Sequence, residues 1–324
     1  MQFRFNFAAF LVGLSLIFGL ALTGAAQLPD KPAMRPKITG ISHIAVYTSK
    51  PEATEHFYVD ALGAVKQADP ENPKGVRYAF SATQFVEVLP LPEGAGINRL
   101  DHTAWNTDDA EALRRYLGSK AWKVPGQVER SADGSRWFTT SDPEGNNVQF
   151  VQLPVHPRQV VAPNAIGHHI IHVGFMAHNR SVEDTFYRDL LSFKPYWYGG
   201  MVETRVDWVS QQSPESHDWL EYMLTYGSTP VSGSSGIPAG MSQHDLGVLD
   251  HFSIGVDSVD AAFKTLKDAG RLNGVDAQAH TQMGRDGKGQ FNLFDPDGIR
   301  VELMNFHATE KPCCSAFTAD DPAE

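Results

Sequence analysis

The feature that most constrains this chain is an internal fourfold repeat. Without a gap, ISHIAVYTSKPEATEHFYVDAL (41–62) aligns with IIHVGFMAHNRSVEDTFYRDLL (170–191), matching His43 with His172, Phe57-Tyr58 with Phe186-Tyr187, and Asp60 with Asp189. A second pair, LDHTAWNTDDAEALRRYL (100–117) and LDHFSIGVDSVDAAFKTL (249–266), matches Leu100-Asp101-His102 with Leu249-Asp250-His251. Both members of that pair run on to related turns, DPEGNNVQF (142–150) and DPDGIRVEL (295–303). The chain therefore reads A-B-A′-B′. Each unit opens with a short apolar strand, and a helix then starts near Pro51, Asp108, Ser181, and Asp257 or Ser258. Segments rich in β-branched and aromatic residues, bounded by Gly, Pro and Asp, predict three further strands per unit.

The unit boundaries define the rest of the layout. Pro154, Pro157 and Pro163 interrupt residues 153–165, so the first domain is expected at 38–155 and the second at 166–308. Residues 309–324 read as a polar tail. Residues 1–26 carry Arg4, an apolar stretch from Ala8 to Leu22, and Gly24 and Ala26 ahead of Gln27. That layout is a secretory signal peptide, with 27–37 as linker; an uncleaved anchor is the alternative. A secreted or periplasmic location follows, with no membrane partner once the signal is cleaved.

Composition narrows the chemistry. A formal net charge of −11 argues against nucleic acid as partner. The two cysteines, adjacent at 313 and 314, exclude a CxxC zinc module. They form either a vicinal bridge in an oxidising compartment or two inert or intermolecular thiols. Any metal site must use His and carboxylates, supplied by 13 His and 38 Asp and Glu.

Polar residues inside apolar strands are the candidates. His43, His102, His172 and His251 occupy one repeat position, a coincidence hard to assign to four separate core histidines. The far end of each unit offers Glu87, Gln149, Glu221 and Glu302, each within an apolar run. Either they point to solvent from an alternating strand, or a cation meets them. Together they give two sets: His172, Glu221, His251 and Glu302 in the second half, and His43, Glu87, His102 and Gln149 in the first. Two imidazoles and two carboxylates suit one divalent ion such as Zn, Ni, Mn, Co or Fe. With Gln149 in place of a carboxylate, the first half is expected to hold metal weakly or to serve as scaffold. Tyr196, Trp197, Trp208 and Trp219 form an aromatic group that lines either a substrate pocket or the core. His168 and His169 fall outside the repeat register.

With these residues in view, the chain resembles the vicinal oxygen chelate superfamily, which includes glyoxalase I, extradiol dioxygenases, epimerases and bleomycin-resistance proteins. The resemblance spans nearly all of 38–308. It implies an α+β fold of four βαβββ modules paired into two cupped, glyoxalase-like mixed sheets. It also implies ligands on the first and last strands of the modules, and the His-Glu-His-Glu set is similar to that of bacterial glyoxalase I. The function so implied is an exported metal-dependent lyase or isomerase, chelating a small substrate through adjacent oxygens, with enediolate chemistry and Glu302 or Glu221 as base. One alternative is a ring-cleaving extradiol-type dioxygenase using His172, His251 and Glu302. Against it, Asn292 stands where that branch has Tyr, 284–298 holds no His, and Glu221 crowds the oxygen face. The other alternative is a non-catalytic binding or sequestration protein of bleomycin-resistance type. Export disfavours a glutathione-derived substrate. The fused duplication suits a monomer, with a homodimer open.

Overall fold

A computed structural model describes residues 1–2, 34–225, 237–238, 240–276 and 278–323. The leader read at 1–26, apart from Met1 and Gln2, and most of the 27–37 linker lie outside the described residues. From Met34 onward the chain forms one unit. Among the described residues no helix is long and apolar enough to cross a membrane.

Among the described residues, apolar runs punctuated by Gly, Pro and Asp give sixteen strands in two sheets of eight. The first sheet comprises β1 (Ile38–Thr48), β2 (Val65–Ala68), β3 (Val76–Ala79), β4 (Phe85–Pro90), β5 (Leu100–Thr107), β6 (Glu129–Arg130), β7 (Arg136–Ser141) and β8 (Asn147–Gln152). Its order is β2-β3-β4-β1-β5-β8-β7-β6. The second comprises β9 (His169–Ala177), β10 (Lys194–Gly199), β11 (Trp208–Gln212), β12 (Trp219–Leu224), β13 (His251–Val256), β14 (Gln282–Met283), β15 (Gly289–Phe294) and β16 (Arg300–Asn305). Its order, β10-β11-β12-β9-β13-β16-β15-β14, repeats the first. In every module the first strand pairs parallel with the fourth, as β1 with β4 and β13 with β16. The two modules of a half join antiparallel through their first strands, β1 with β5 and β9 with β13. The fold is thus α+β: four βαβββ modules paired into two curled mixed sheets.

A helix follows each opening strand. α1 (Pro51–Glu55) and α3 (Arg180–Asp184) both run into a π-helical turn, His56–Ala61 and Thr185–Leu190. α2 is Ala110–Ser119 and α5 is Val259–Asp268, while α4 (Gln243–Leu249) precedes β13. Pro51 occupies the first turn of α1, where its missing N–H costs nothing. Ser258 caps α5, but Asp109 rather than Asp108 caps α2, and Asn179 rather than Ser181 caps α3. In each correction the capping side chain sits ahead of the first helical residue and accepts an N–H from the first turn.

The halves clasp each other reciprocally. The DPEGN turn of the first half sends Glu144 to the N–H groups of His178 (2.7 Å) and Asn179 (2.7 Å), at the start of α3. The DPDG turn of the second half sends Asp297 to Ser49 N–H (3.0 Å) and to the hydroxyls of Thr48 and Ser49, ahead of α1. The repeated tyrosines cross over as well: Tyr58 donates to Asp295 (3.2 Å) and Tyr187 to Asp142 (3.4 Å).

Residues 309–323, polar by composition, fold back on the second half. Phe317 packs on Tyr196, Thr318 N–H donates to Tyr196 O, and Asp321 pairs with the fully buried ammonium of Lys288 (2.7 Å). Cys313 and Cys314 are joined as a vicinal disulfide.

Candidate metal centres and the second cup

Strand pairing explains why the polar repeat positions meet. The first and fourth strands of a module lie side by side, and the two first strands of a half are neighbours, so all four run along the middle of one sheet. Side chains of one parity project to the same face. In the second half, His172 on β9 and His251 on β13 face each other with Nε2 atoms 3.0 Å apart. Glu302 on β16 brings Oε2 to 3.3 Å from His172 Nε2. These three form a compact, buried group. Glu221 on β12 lies outside it and approaches only His251, at 3.7 Å. It also keeps 14% of its side chain accessible, against 3% or less for the other three, so Glu221 is the more exposed of the two carboxylates.

In the first half, His43 on β1 and His102 on β5 again bring Nε2 atoms to 3.0 Å. Here Glu87 on β4 completes the compact group, 3.7 Å from both imidazoles. Gln149 on β8 is buried but turned to Glu71 (3.4 Å), outside the group. The two halves therefore draw their carboxylate from opposite modules.

The donor chemistry suits a divalent ion. Burial lowers His43, His172 and His251 well below the usual imidazole range, leaving them neutral with a lone pair to give. His251 Nδ1 donates to Leu249 O (2.9 Å), which turns the lone pair of Nε2 inward. His102 Nδ1 does the same with Asp101 (2.6 Å). Burial pushes Glu302 up to about 7, and burial with the adjacent Glu302 pushes Glu221 up to about 8. Carboxylates enclosed in this way want a cation. An aromatic ring backs the opening histidine of each half: Phe85 stacks on His43 at 4.4 Å, and Trp219 lies tilted against His172 at 4.7 Å between ring centres.

Residues opposite the β4 and β12 glutamates decide which cup is open. Arg77 pairs with Glu87 across β3–β4, and its guanidinium lies over Phe85 with Asp69 and Glu71 as ion-pair partners. Ser210 holds the equivalent place opposite Glu221, and donates to its Oε1 at 3.2 Å. Beside the second group lies a cavity of about 370 Å³, reached by Glu221 and Glu302 and walled by Trp197, Trp208, Met223 and Met304. Tyr196 and Trp219 are not in its lining. They are buried with Phe317 around Lys288, where the C-terminal segment closes the end of the sheet.

Sequence reasoning missed three site features. Arg300 and Asp286 line the second cavity; Arg300 does not recur, Asn147 holding its place in the first half, whereas Asp286 does recur, as Asp133 in the matching turn. Gly174 lies opposite His251 in the β9–β13 register, and a Cβ there would sit 2.0 Å from the imidazole. The signal was present, since the repeat aligns Gly174 with Ala45. His169 and His168 bond to Asp218 and Phe80 O respectively and do not enter the group.

Residues 40–150 and 166–303 each match the family described as the glyoxalase/bleomycin resistance protein/dioxygenase superfamily. No curated protein matches the sequence. Among solved structures, the Mn(II)-bound glyoxalase from Novosphingobium aromaticivorans aligns with a TM-score of 0.62 at 17% identity, over 83% of each chain. The 2,3-dioxygenase LapB from Pseudomonas sp. KL28 aligns at 0.60 and 15% identity, over 84% of this chain and 93% of its own. Homoprotocatechuate 2,3-dioxygenase from Brevibacterium fuscum, in anaerobic complex with 3,4-dihydroxyphenylacetate, aligns at 0.60 and 15%, over 91% and 86%. At such identities the likeness is one of fold.

Proposed function

Because the chain belongs to the glyoxalase/bleomycin resistance protein/dioxygenase superfamily, we propose that it is a metal-dependent lyase or isomerase working in the second cup. His172, His251 and Glu302 would hold one divalent ion, and Glu221 would serve as base. The observation that carries this reading is the position of Glu221: a carboxylate on the cavity wall, beside the three-residue group but outside it. A bound ion supplies Lewis acidity toward two adjacent oxygens of a small substrate. Glu221 takes a proton from the carbon next to the carbonyl and returns it to a neighbouring atom. Ser210 donates to one carboxylate oxygen, Oε1, while the other, Oε2, lies 3.7 Å from His251 Nε2. Trp197, Trp208 and Met223 keep bulk water from the reacting atoms.

The test combines metal analysis with proton exchange. His172→Ala, His251→Ala and Glu302→Gln should lose bound metal. Glu221→Gln should keep it, yet lose about 10²–10⁴-fold of solvent-deuterium exchange into α-hydroxyketones. Unchanged metal content in all three ligand variants would falsify the proposal. The compact two-His, one-carboxylate group also favours a second reading, a ring-cleaving dioxygenase. That reading requires oxygen uptake with catechols after anaerobic Fe²⁺ loading, and no uptake dismisses it. Stoichiometric ligand binding without exchange or uptake supports a binding protein. The exported location is part of the same proposal: the purified protein from the culture fluid or periplasm should begin at Gln27.

A further inference from the structure

Arg300 opens β16, two residues ahead of Glu302 and on the same face of the strand. It is 9% exposed and lines the cavity of the second cup. Its guanidinium donates no hydrogen bond among the described residues. Nε has no partner, and the nearest carboxylate oxygen, Glu302 Oε1, is 3.9 Å from Nη1. A buried cation with unmatched donors is costly, so its retention calls for a ligand. The fold does not demand it: the strand registers place Asn147 at the same position in the first half, where its amide donates to Asp101 O (3.1 Å).

We propose that Arg300 anchors a carboxylate of the substrate. The second cup would then take a small molecule carrying two adjacent oxygens and, apart from them, a carboxylate. This rests on the metal-centred reading of the same cup, and names its substrate class. The planar fork of a guanidinium matches a carboxylate with two parallel hydrogen bonds. Arg285 lines the same cavity, but is engaged with Gly200 O (3.1 Å) and Cys313 Sγ (2.9 Å). Glu221, Glu302 and Asp286 oppose an incoming anion. A bound divalent ion together with the two guanidiniums outweighs them. Trp197 and Trp208 on the wall suit a flat, apolar body between the two polar ends.

The test compares 3,4-dihydroxybenzoate with 3,4-dihydroxybenzamide, which share ring and adjacent oxygens and differ in charge. Titration calorimetry on the Zn²⁺-loaded full chain, run beside the metal-free chain, should give tighter binding of the benzoate to the loaded form by about tenfold to a hundredfold. Arg300→Gln should abolish that preference while leaving the benzamide within about threefold of wild type. Arg300→Lys should keep part of the preference. Equal affinity in wild type, a preference that survives in Arg300→Gln, or binding of neither probe overturns the anchor. Metal content of the same samples separates the two readings. Full metal with no charge preference removes the anchor alone. Absent metal in wild type removes the metal reading, while a charge preference in the metal-free protein still supports Arg300.

Discussion

Opposite Glu87 stands Arg77, and opposite Glu221 stands Ser210. At this one repeat position the first cup receives a long cation with its own acidic partners, and the second receives a hydroxyl and open space. Ser210→Arg should therefore fill the second cup from within and pin Glu221 as an ion pair. The expected loss of exchange or ligand binding is at least about tenfold, with Tm within a few degrees of wild type, read by activity beside thermal melting. Gly174 acts on the same group from the next strand. Gly174→Ala would push a methyl into the His251 ring. Metal affinity in the second cup should fall by about 10–100-fold, as when a ligand loses its orientation, while the first-half group is untouched; metal competition titration reads it. Unaltered affinity would mean that β9 can shift without moving His251.

At the scale of elements, the repeated Phe-Tyr pair turns out to hold the halves together. The wide turns after α1 and α3 carry Tyr58 and Tyr187 into the core, where each hydroxyl meets an aspartate of the other half. Next to Tyr187, Glu183 is wholly buried beside Asp142. Burial first, then the Asp142 and Glu144 charges, hold Glu183 well above the usual carboxylate range. Asp142 is raised mainly by burial. The folded state thus keeps a proton that the unfolded chain releases above about pH 4.5. Stability from this pair is present at acid pH and declines as pH rises through neutrality, because the native state binds more protons there. Glu183→Gln keeps the shape without the titration. Its Tm should fall less between pH 5 and 8 than that of wild type, by on the order of a few degrees. Parallel curves in a pH series of thermal melts would show that folded Glu183 holds no extra proton in this window.

For the whole molecule, the open question is how unlike its two halves behave. Burial and the Asp69 and Glu71 carboxylates hold Glu87 well above the usual range, so an ion in the first half must first displace a proton. One tight ion per chain is expected by equilibrium dialysis, removed by His251→Ala and retained in His43→Ala. Two ions of equal affinity, or loss of the tight ion in His43→Ala, would contradict this asymmetry.

Much of this was legible in the chain itself, because a repeat carries its own controls. Four modules, two halves, four histidines at one position and the DPxG turns follow from residue order, since strand parity and strand order then force those side chains onto one face. Other properties depend on neighbours distant in sequence. Residue order does not reveal that Glu87 joins the first group while Gln149 turns to Glu71, or that Glu221 stands apart from the triad. Nor does it reveal that Tyr196 and Trp219 are sealed beneath a C-terminal segment of polar composition, or that Arg300 is buried with its Nε lacking a hydrogen-bond partner. The physical reason is reach. Periodicity fixes the direction of a side chain, but only packed strands from separate modules fix which atoms come within a few ångströms, and what surrounds them.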